Sequence, residues 1–387
     1  MKIISLRYKD NTSKWELDQF SFLDLTLLVG ASGVGKTKIL KALYNLKRLA
    51  LGKKSDNVEW QIKFQVENKY YCWTGKAAES EELHPFGSIS TSEEKYIIAS
   101  EKLVELGLDD TPLKIIFQRG KEGTYFKNNK VPKVTVTKSC IDIFSDEDDI
   151  EPVVSGFSRL FFFEFENERQ YGYGRVSVEV DKDFQNMDNE VKKQALEVLR
   201  EKSIPFVVKL GLAYNYFHET FEAIKEEFIS VFNYIEDIRF RVIKENDKEE
   251  KETTSFELQI KEFGSNYWIS EREISSGMLK TLLYLSMLHL VPRNSVILLD
   301  EFENSLGINC INLMSENVNE SRNIQFILTS HHPYIINTIS MNNWQIVSRK
   351  RNRVVVKNAN FYGLGKSKHR AFKQLLNLDT YTQGRQE

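Results

Sequence analysis

The run Gly30, Ala31, Ser32, Gly33, Val34, Gly35, Lys36 and Thr37 fits the pattern G-x-x-x-x-G-K-[ST]. Its glycines let backbone N–H groups wrap a polyphosphate without Cβ clashes, and a helix starting at Lys36 adds positive potential at its N-terminus. Lys36 would reach the β- and γ-phosphates, and Thr37 would offer its hydroxyl to Mg²⁺. The segment therefore predicts a P-loop that cradles ATP with Mg²⁺. A second run, Val296 to Leu299, reads as an apolar strand that ends in Asp300 and Glu301. Asp300 would hold the Mg²⁺, usually through water, and Glu301 would orient and polarise the attacking water for in-line phosphoryl transfer. A glycine turn that only capped a helix would need neither Lys36 nor Thr37. Acidic residues at a strand end gain chemical meaning when such a loop accompanies them.

Two further segments carry weaker signals. Ile274-Ser275-Ser276-Gly277-Met278 opens a helix whose apolar stripe includes Leu279, Leu282 and Leu283. A serine and a glycine at a helix N-terminus suit a γ-phosphate, through hydroxyl and backbone donors and the macrodipole. Taken alone, the same serine is an ordinary N-cap. Leu328-Thr329-Ser330-His331-His332-Pro333 follows a later strand, where an imidazole would hydrogen-bond a γ-phosphate or the attacking water. A lone histidine at a strand end is otherwise structural.

Together these segments resemble the ABC ATPase class in its SMC-like or OLD-like form. Ser275 and Gly277 match the signature motif, usually LSGGQ, while Ser276 replaces its first glycine and Met278 its glutamine. The resemblance implies that Ser275, Ser276 and Gly277 face the P-loop of a second copy. ATP would then clamp a homodimer, or a larger assembly built from it. It also implies that His331 is the switch histidine and that Asn304-Ser305-Leu306 is the D-loop, and it leaves Gln118 and Gln170 as alternatives for the Q-loop. Residues 1–75 and 255–340 carry the resemblance. The segments Asp300 to Gly307, Thr329 to Asn337 and Gly365 to Phe372 look like bacterial ATPases of phage-defence cassettes such as Septu, PARIS and ATPase-bearing retrons. In such families the ATPase works with a separately encoded nuclease or other toxic effector.

Related functions fit less well. A transporter nucleotide-binding subunit places its P-loop and signature much closer together, whereas more than half of this chain separates Thr37 from Ser275. A zinc-hook repair ATPase needs a long heptad insertion with CxxC at its tip. An OLD-type nuclease needs a TOPRIM domain after the switch histidine, and too few residues follow His331 for one. A DNA repair or recombination clamp of the RecF type stands as the alternative, and an ATP-stabilised scaffold without turnover as a third reading that Glu301 argues against.

The remaining composition sets limits. The 387 residues are 41% hydrophobic and 28% charged, as expected of a globular chain with two or three lobes. A net charge of -2 means that any nucleic-acid contact needs a local basic patch. Arg349, Lys350, Arg351 and Arg353, with Lys366, Lys368 and Arg370 close behind, form the densest such cluster. It fits a nucleic acid, an acidic partner surface, or a charged hairpin turn between strands at 344–348 and 354–357. Cys72, Cys140 and Cys310 form no CxxC pair and indicate neither a disulfide framework nor zinc. No apolar stretch reaches membrane-spanning length, and the cytoplasm is the expected location.

Positioning these groups requires an α/β fold, and the resemblance implies an ABC ATPase head of the P-loop NTPase type, with a mixed sheet lobe, a parallel-sheet core and a short helical insertion. The expected division is an N-terminal ATPase lobe over 1–180, a helical insertion over 181–237, a C-terminal ATPase lobe over 238–343 and a hairpin and tail over 344–387. Leu25 to Val29 should be the strand before the P-loop, and Ile39, Leu40, Leu43 and Leu46 the buried stripe of the helix after it. A hairpin is expected over 58–74, strands over 114–136, and helices over 183–202 and 218–234. A charged hairpin tip should span 244–254. From Ser275 onward, helices and apolar strands alternate, with a helix over 308–319, which predicts parallel strands.

Overall fold

The computed structural model describes residues 1–54, 56–79, 96–163, 188–246, 252–301, 303, 324–365 and 368–384. In chain order the elements begin with β1 (Lys2–Asp10), β2 (Trp15–Ser21), β3 (Leu25–Val29) and α1 (Lys36–Ala50). Next come β4 (Val58–Val66), β5 (Lys69–Glu79), β6 (Tyr96–Leu106), β7 (Pro112–Gly120), β8 (Gly123–Phe126) and β9 (Asn129–Lys130). After them lie α2 (Cys140–Ile143), α3 (Glu151–Ser158), β10 (Leu160–Phe163), α4 (Asn189–Glu201), α5 (Phe206–Tyr216) and α6 (His218–Val231). The chain continues through β11 (Ile235–Asn246), β12 (Glu252–Glu262), β13 (Ile269–Ser270), α7 (Ser276–Leu290) and β14 (Val296–Leu299). It ends with β15 (Gln325–Thr329), α8 (Pro333–Thr338), β16 (Trp344–Lys350), β17 (Arg353–Asn358), α9 (Lys368–Leu376) and α10 (Asp379–Thr382).

These elements form two compact units. One comprises Met1–Phe162, Asn294–Phe302 and Arg322–Glu387; the other comprises Phe163–Arg293 and Glu303–Ser321. The first is organised by a sheet in the order β10-β14-β15-β3-β16-β17-β2-β1-β4-β5-β6-β7-β8-β9. Its core is parallel: β14 pairs with β15, β15 with β3 and β3 with β16, all in the same direction. Every residue of β3, β14 and β15 is buried, as expected of strands covered on both faces. From β2 to β9 the pairing is antiparallel, and β4 alternates buried and half-buried residues along its whole length, with one face on the core and one toward solvent.

Helix α1 buries Ile39, Leu40, Leu43 and Leu46, the stripe expected from their spacing. Toward its C-terminus the Lys47 Nζ donates to the carbonyl of Leu160 at 2.7 Å, and burial lowers the pKa of that amine to about 8. Beneath the antiparallel half, Trp60, Trp73, Phe64 and Phe157 meet edge to face with centroids 5.2–5.4 Å apart. A buried carboxylate anchors the same region. Glu101 accepts hydrogen bonds from Trp73 Nε1 at 3.0 Å, Ser139 Oγ at 2.5 Å and the Cys140 amide at 2.8 Å. Burial outweighs these donors and raises its pKa.

In the second unit, β11, β12 and β13 form a separate antiparallel sheet, and α5, α6 and α7 pack together. The β11–β12 ladder runs out to Asn246 paired with Glu252, so both flanks of the charged run expected as a hairpin tip over 244–254 belong to the strands, and residues 247–251 lie outside the described residues. Helix α7 departs from the expected single stripe: Met278 through Met287 are all buried, Lys280 and Tyr284 included. A helix apolar all round is a central one, enclosed by its neighbours. Lys209 of α5 is fully buried and donates to the carbonyls of Arg200 at 2.6 Å and Leu290 at 3.2 Å, tying off the C-terminal ends of α4 and α7. Among the described residues no helix is long and apolar enough to cross a membrane.

Candidate functional site

The loop Gly30–Thr37 joins β3 to α1, the context its pattern requires. Three of its glycines hold conformations that side chains avoid: Gly30 at φ 153°, Gly33 at φ 78° and Gly35 at φ 112°. Gly30 is doubly constrained, since a Cβ there would lie 2.4 Å from the Val347 carbonyl oxygen of β16. At the other end of the loop, a Cβ on Gly35 would lie 3.1 Å from Trp15 Nε1. Trp15 is itself 2% exposed, so β2 and β16 press on the loop from two sides. Ala31 is half-buried, Ser32 and Gly33 are exposed, and Val34 is buried. Lys36 folds back over the loop, donating to the carbonyls of Gly30 at 2.9 Å and Ala31 at 3.0 Å. Lys36 is only 6% exposed.

The ends of β14 and β15 meet this loop. Thr37 Oγ1 donates to Asp300 Oδ1 at 3.1 Å, across 263 residues of sequence. Thr329, the last residue of β15 and 1% exposed, donates its hydroxyl to the same Asp300 oxygen at 2.6 Å. It accepts from the Glu301 amide at 2.8 Å. One hydroxyl thus fixes the Asp300 carboxylate and the backbone that carries Glu301, whose φ is 45° and whose side chain is exposed. Sequence reasoning gives Thr329 no role. Its signal is a hydroxyl at the last position of an otherwise apolar strand, adjacent in the sheet to the one ending in Asp300.

The two histidines after β15 are held differently. His332 caps α8, its Nδ1 accepting from the Tyr334 amide at 3.2 Å while its own amide donates to Ser330 Oγ at 3.1 Å. His331, half-buried, is the one not placed in the cap. In the second unit, Ser275 is the N-cap of α7 and accepts from the Met278 amide at 3.3 Å; Ser276 and Gly277 form the first turn, half-buried. Of the Q-loop alternatives, Gln118 sits within β7, paired with Lys102 and Tyr125, and not in a loop. Gln170 and Asn304, Ser305 and Leu306 lie outside the described residues, as do Cys310, the expected helix at 308–319 and Lys366.

The basic cluster lies in a hairpin turn between β16 and β17, with Arg351 at φ 58°. The fold also brings that turn to the P-loop. A cavity of about 350 Å³ is lined by Ser32, Gly33 and Val34 on one side and by Arg349, Lys350 and Arg351 on the other. Its margin is closed by Gln383 and Gly384. Gly384 accepts from the Arg349 amide at 2.7 Å, and a Cβ on it would lie 2.3 Å from Val34 Cγ1. The end of the described chain is thus fastened to the outer side of the loop.

Residues 145–337 match the family described as an AAA domain, putative AbiEii toxin, Type IV TA system. The match takes in Ser275, Asp300, Glu301 and His331, while the P-loop lies before it. No curated protein matches the chain. Among solved structures it is similar to an Smc head bound to the C-winged helix domain of ScpA, at 16% identity and TM-score 0.43, covering 92% of this chain and 97% of that one. It is also similar to an Smc head domain with an extended coiled coil, bound to the C-terminal domain of ScpA derived from Pyrococcus furiosus. That likeness has 13% identity and TM-score 0.40, with 94% and 98% of the two chains covered.

Proposed function

We propose that this chain binds Mg-ATP at Gly30–Thr37 and hydrolyses it, as an ATPase of the ABC class in its SMC-like or OLD-like form. The observation that carries the proposal is the meeting of Thr37 and Thr329 on one oxygen of Asp300, which joins the phosphate loop to the paired carboxylates. Thr37 Oγ1 and Asp300 Oδ1 are hard oxygen donors of the kind Mg²⁺ prefers, and the ion bound there would neutralise phosphate charge. Lys36 exchanges its two loop carbonyls for the β- and γ-phosphates, and the amides of Gly33 to Thr37 supply the remaining donors. Glu301, exposed and held at its backbone by Thr329, orients the attacking water and polarises it; His331 hydrogen-bonds the γ-phosphate or that water.

Ser275, Ser276 and Gly277 complete the site in a second copy of the chain, offering the first turn of α7 to the γ-phosphate, so that ATP drives homodimerisation. The dimer controls a separately encoded effector, a nuclease, in bacterial defence against phage; the toxin-system description of the matched family supports a role in such conflict. The test is to measure the mass of Glu301→Gln protein in solution with and without Mg-ATP. A monomer that becomes a dimer on adding ATP is expected. Full wild-type turnover in that variant, or a monomer at saturating ATP, would overturn the proposal.

A further inference from the structure

The solvent face of the antiparallel half carries a second basic feature, built from mid-strand residues outside the P-loop. In the registered ladder β1-β4-β5-β6-β7, Tyr8, Trp60, Gly75, Glu101 and Arg119 stand in one row across five strands. Four of these are buried, and Gly75 has the Trp60 ring where a Cβ would project, so the row points inward. Alternation then sends the neighbours on either side outward. One flanking row is Arg7, Gln61, Thr74, Lys102 and Gln118; the other is Lys9, Glu59, Lys76 and Ser100. Between them runs a groove of about 510 Å³ lined by residues of both flanking rows and of the inward row.

Its dimensions follow from sheet geometry. Five strands span about 19 Å from first to last, and residues two apart on one strand set the rows about 7 Å apart. The side chains are cationic and polar: within the two rows Arg7, Lys9, Lys76 and Lys102 stand with one carboxylate, Glu59, which is shared by Lys76 at 3.2 Å and Lys9 at 3.9 Å, and Glu16 of β2 lies opposite Lys9. Arg7 reaches Glu16 only at 3.9 Å, and Lys102 has no ion pair among the described residues. No aromatic side chain stands in either outward row, so nothing there stacks on a base or holds a flat apolar ligand. Gln61, Thr74, Ser100 and Gln118 add uncharged hydrogen-bonding groups suited to phosphate and sugar oxygens.

We propose that this groove binds the phosphodiester backbone of a single-stranded nucleic acid, without regard to base sequence. The channel accepts one backbone between its rows of side chains, and a double helix does not enter it. Spacing the cations over three strands, β1, β5 and β6, matches a ligand whose negative charges are spread along a line rather than gathered at one point. Overall charge gives no such attraction in a chain of net charge -2, so the binding is local to this face.

The test uses the full chain and a fluorescein-labelled single strand of about 20 nucleotides, followed by anisotropy between about 50 and 200 mM KCl. Wild-type protein should bind two strands of unrelated sequence alike and more tightly than a duplex of the same length. The double variant Lys76→Gln, Lys102→Gln should bind at least about tenfold more weakly at the lowest salt, with the salt slope reduced by about 1.4, the value for two lost contacts to a single strand. Its unchanged ATP affinity will show that the fold is intact. Arg349→Gln, Arg351→Gln is the comparison variant and should bind the strand as wild type does. The proposal is overturned if wild type binds no single strand, if duplex binds more tightly, or if the groove variant binds as wild type does.

Discussion

The two halves of the large sheet put their residues to different uses. In the parallel core, β3, β14 and β15 are buried along their whole length, and nearly all their side chains serve packing. The proposed chemistry falls to residues at or just past the strand ends: Gly30, Asp300 and the pair Thr329 and His331. In the antiparallel half one face is free, and the functional candidates are mid-strand residues such as Lys76 and Lys102, placed by register and not by a loop. Strand ends can gather groups distant in sequence onto a single atom, as Thr37, Asp300 and Thr329 show. Strand faces can only spread them at fixed intervals, which suits an extended ligand and not a reaction centre.

That contrast can be broken by substitution. The largest effect is expected for Glu301→Gln, which should slow ATP turnover by about 10² to 10⁴-fold while ATP still binds, because an amide does not polarise water as a carboxylate does. Steady-state phosphate release beside nucleotide titration will check it. Lys36→Ala should weaken ATP about 100-fold, measured by displacement of a fluorescent analogue, since the terminal phosphates lose their charge-assisted donor. On the other half, Glu101→Ala should lower unfolding stability by about 2 kcal/mol, leaving Trp73 Nε1, Ser139 Oγ and the Cys140 amide without their acceptor. Chemical denaturation will read that loss, and ATP affinity should stay within about twofold if the halves are separable. The smallest effect is expected for Thr329→Val, about tenfold in turnover, because Asp300 and the Glu301 backbone lose one orienting hydroxyl. A Thr329→Ser variant that restores turnover will identify the hydroxyl as the cause.

Much of the fold could be read from residue patterns because local and tertiary preferences agree. Leu25 to Val29 is an uninterrupted apolar run and forms β3 over the same residues; the hairpin of β4 and β5 begins where alternation begins. Tyr96 to Leu106 does not announce a strand. Its Ala99, Glu101, Lys102, Leu103 and Glu105 are residues that favour helices, and β6 exists because β5 and β7 pair with it on either side. Likewise α5, with Val207, Val208 and Leu212 around its circumference, has no helical stripe to detect, being buried on nearly every side. At the candidate site, glycine spacing and paired carboxylates made the phosphate loop and the ends of β14 visible. Thr329, Trp15 and Gly384 act through space alone, and no spacing in the chain announces that Gly384 returns to Val34.

The return of Gly384 has a practical side. A fluorophore, affinity tag or fusion partner attached close to it would emerge beside Ala31 and Val34. A small environment-sensitive dye there becomes a reporter of loop occupancy, while a bulky tag competes for the space the loop needs.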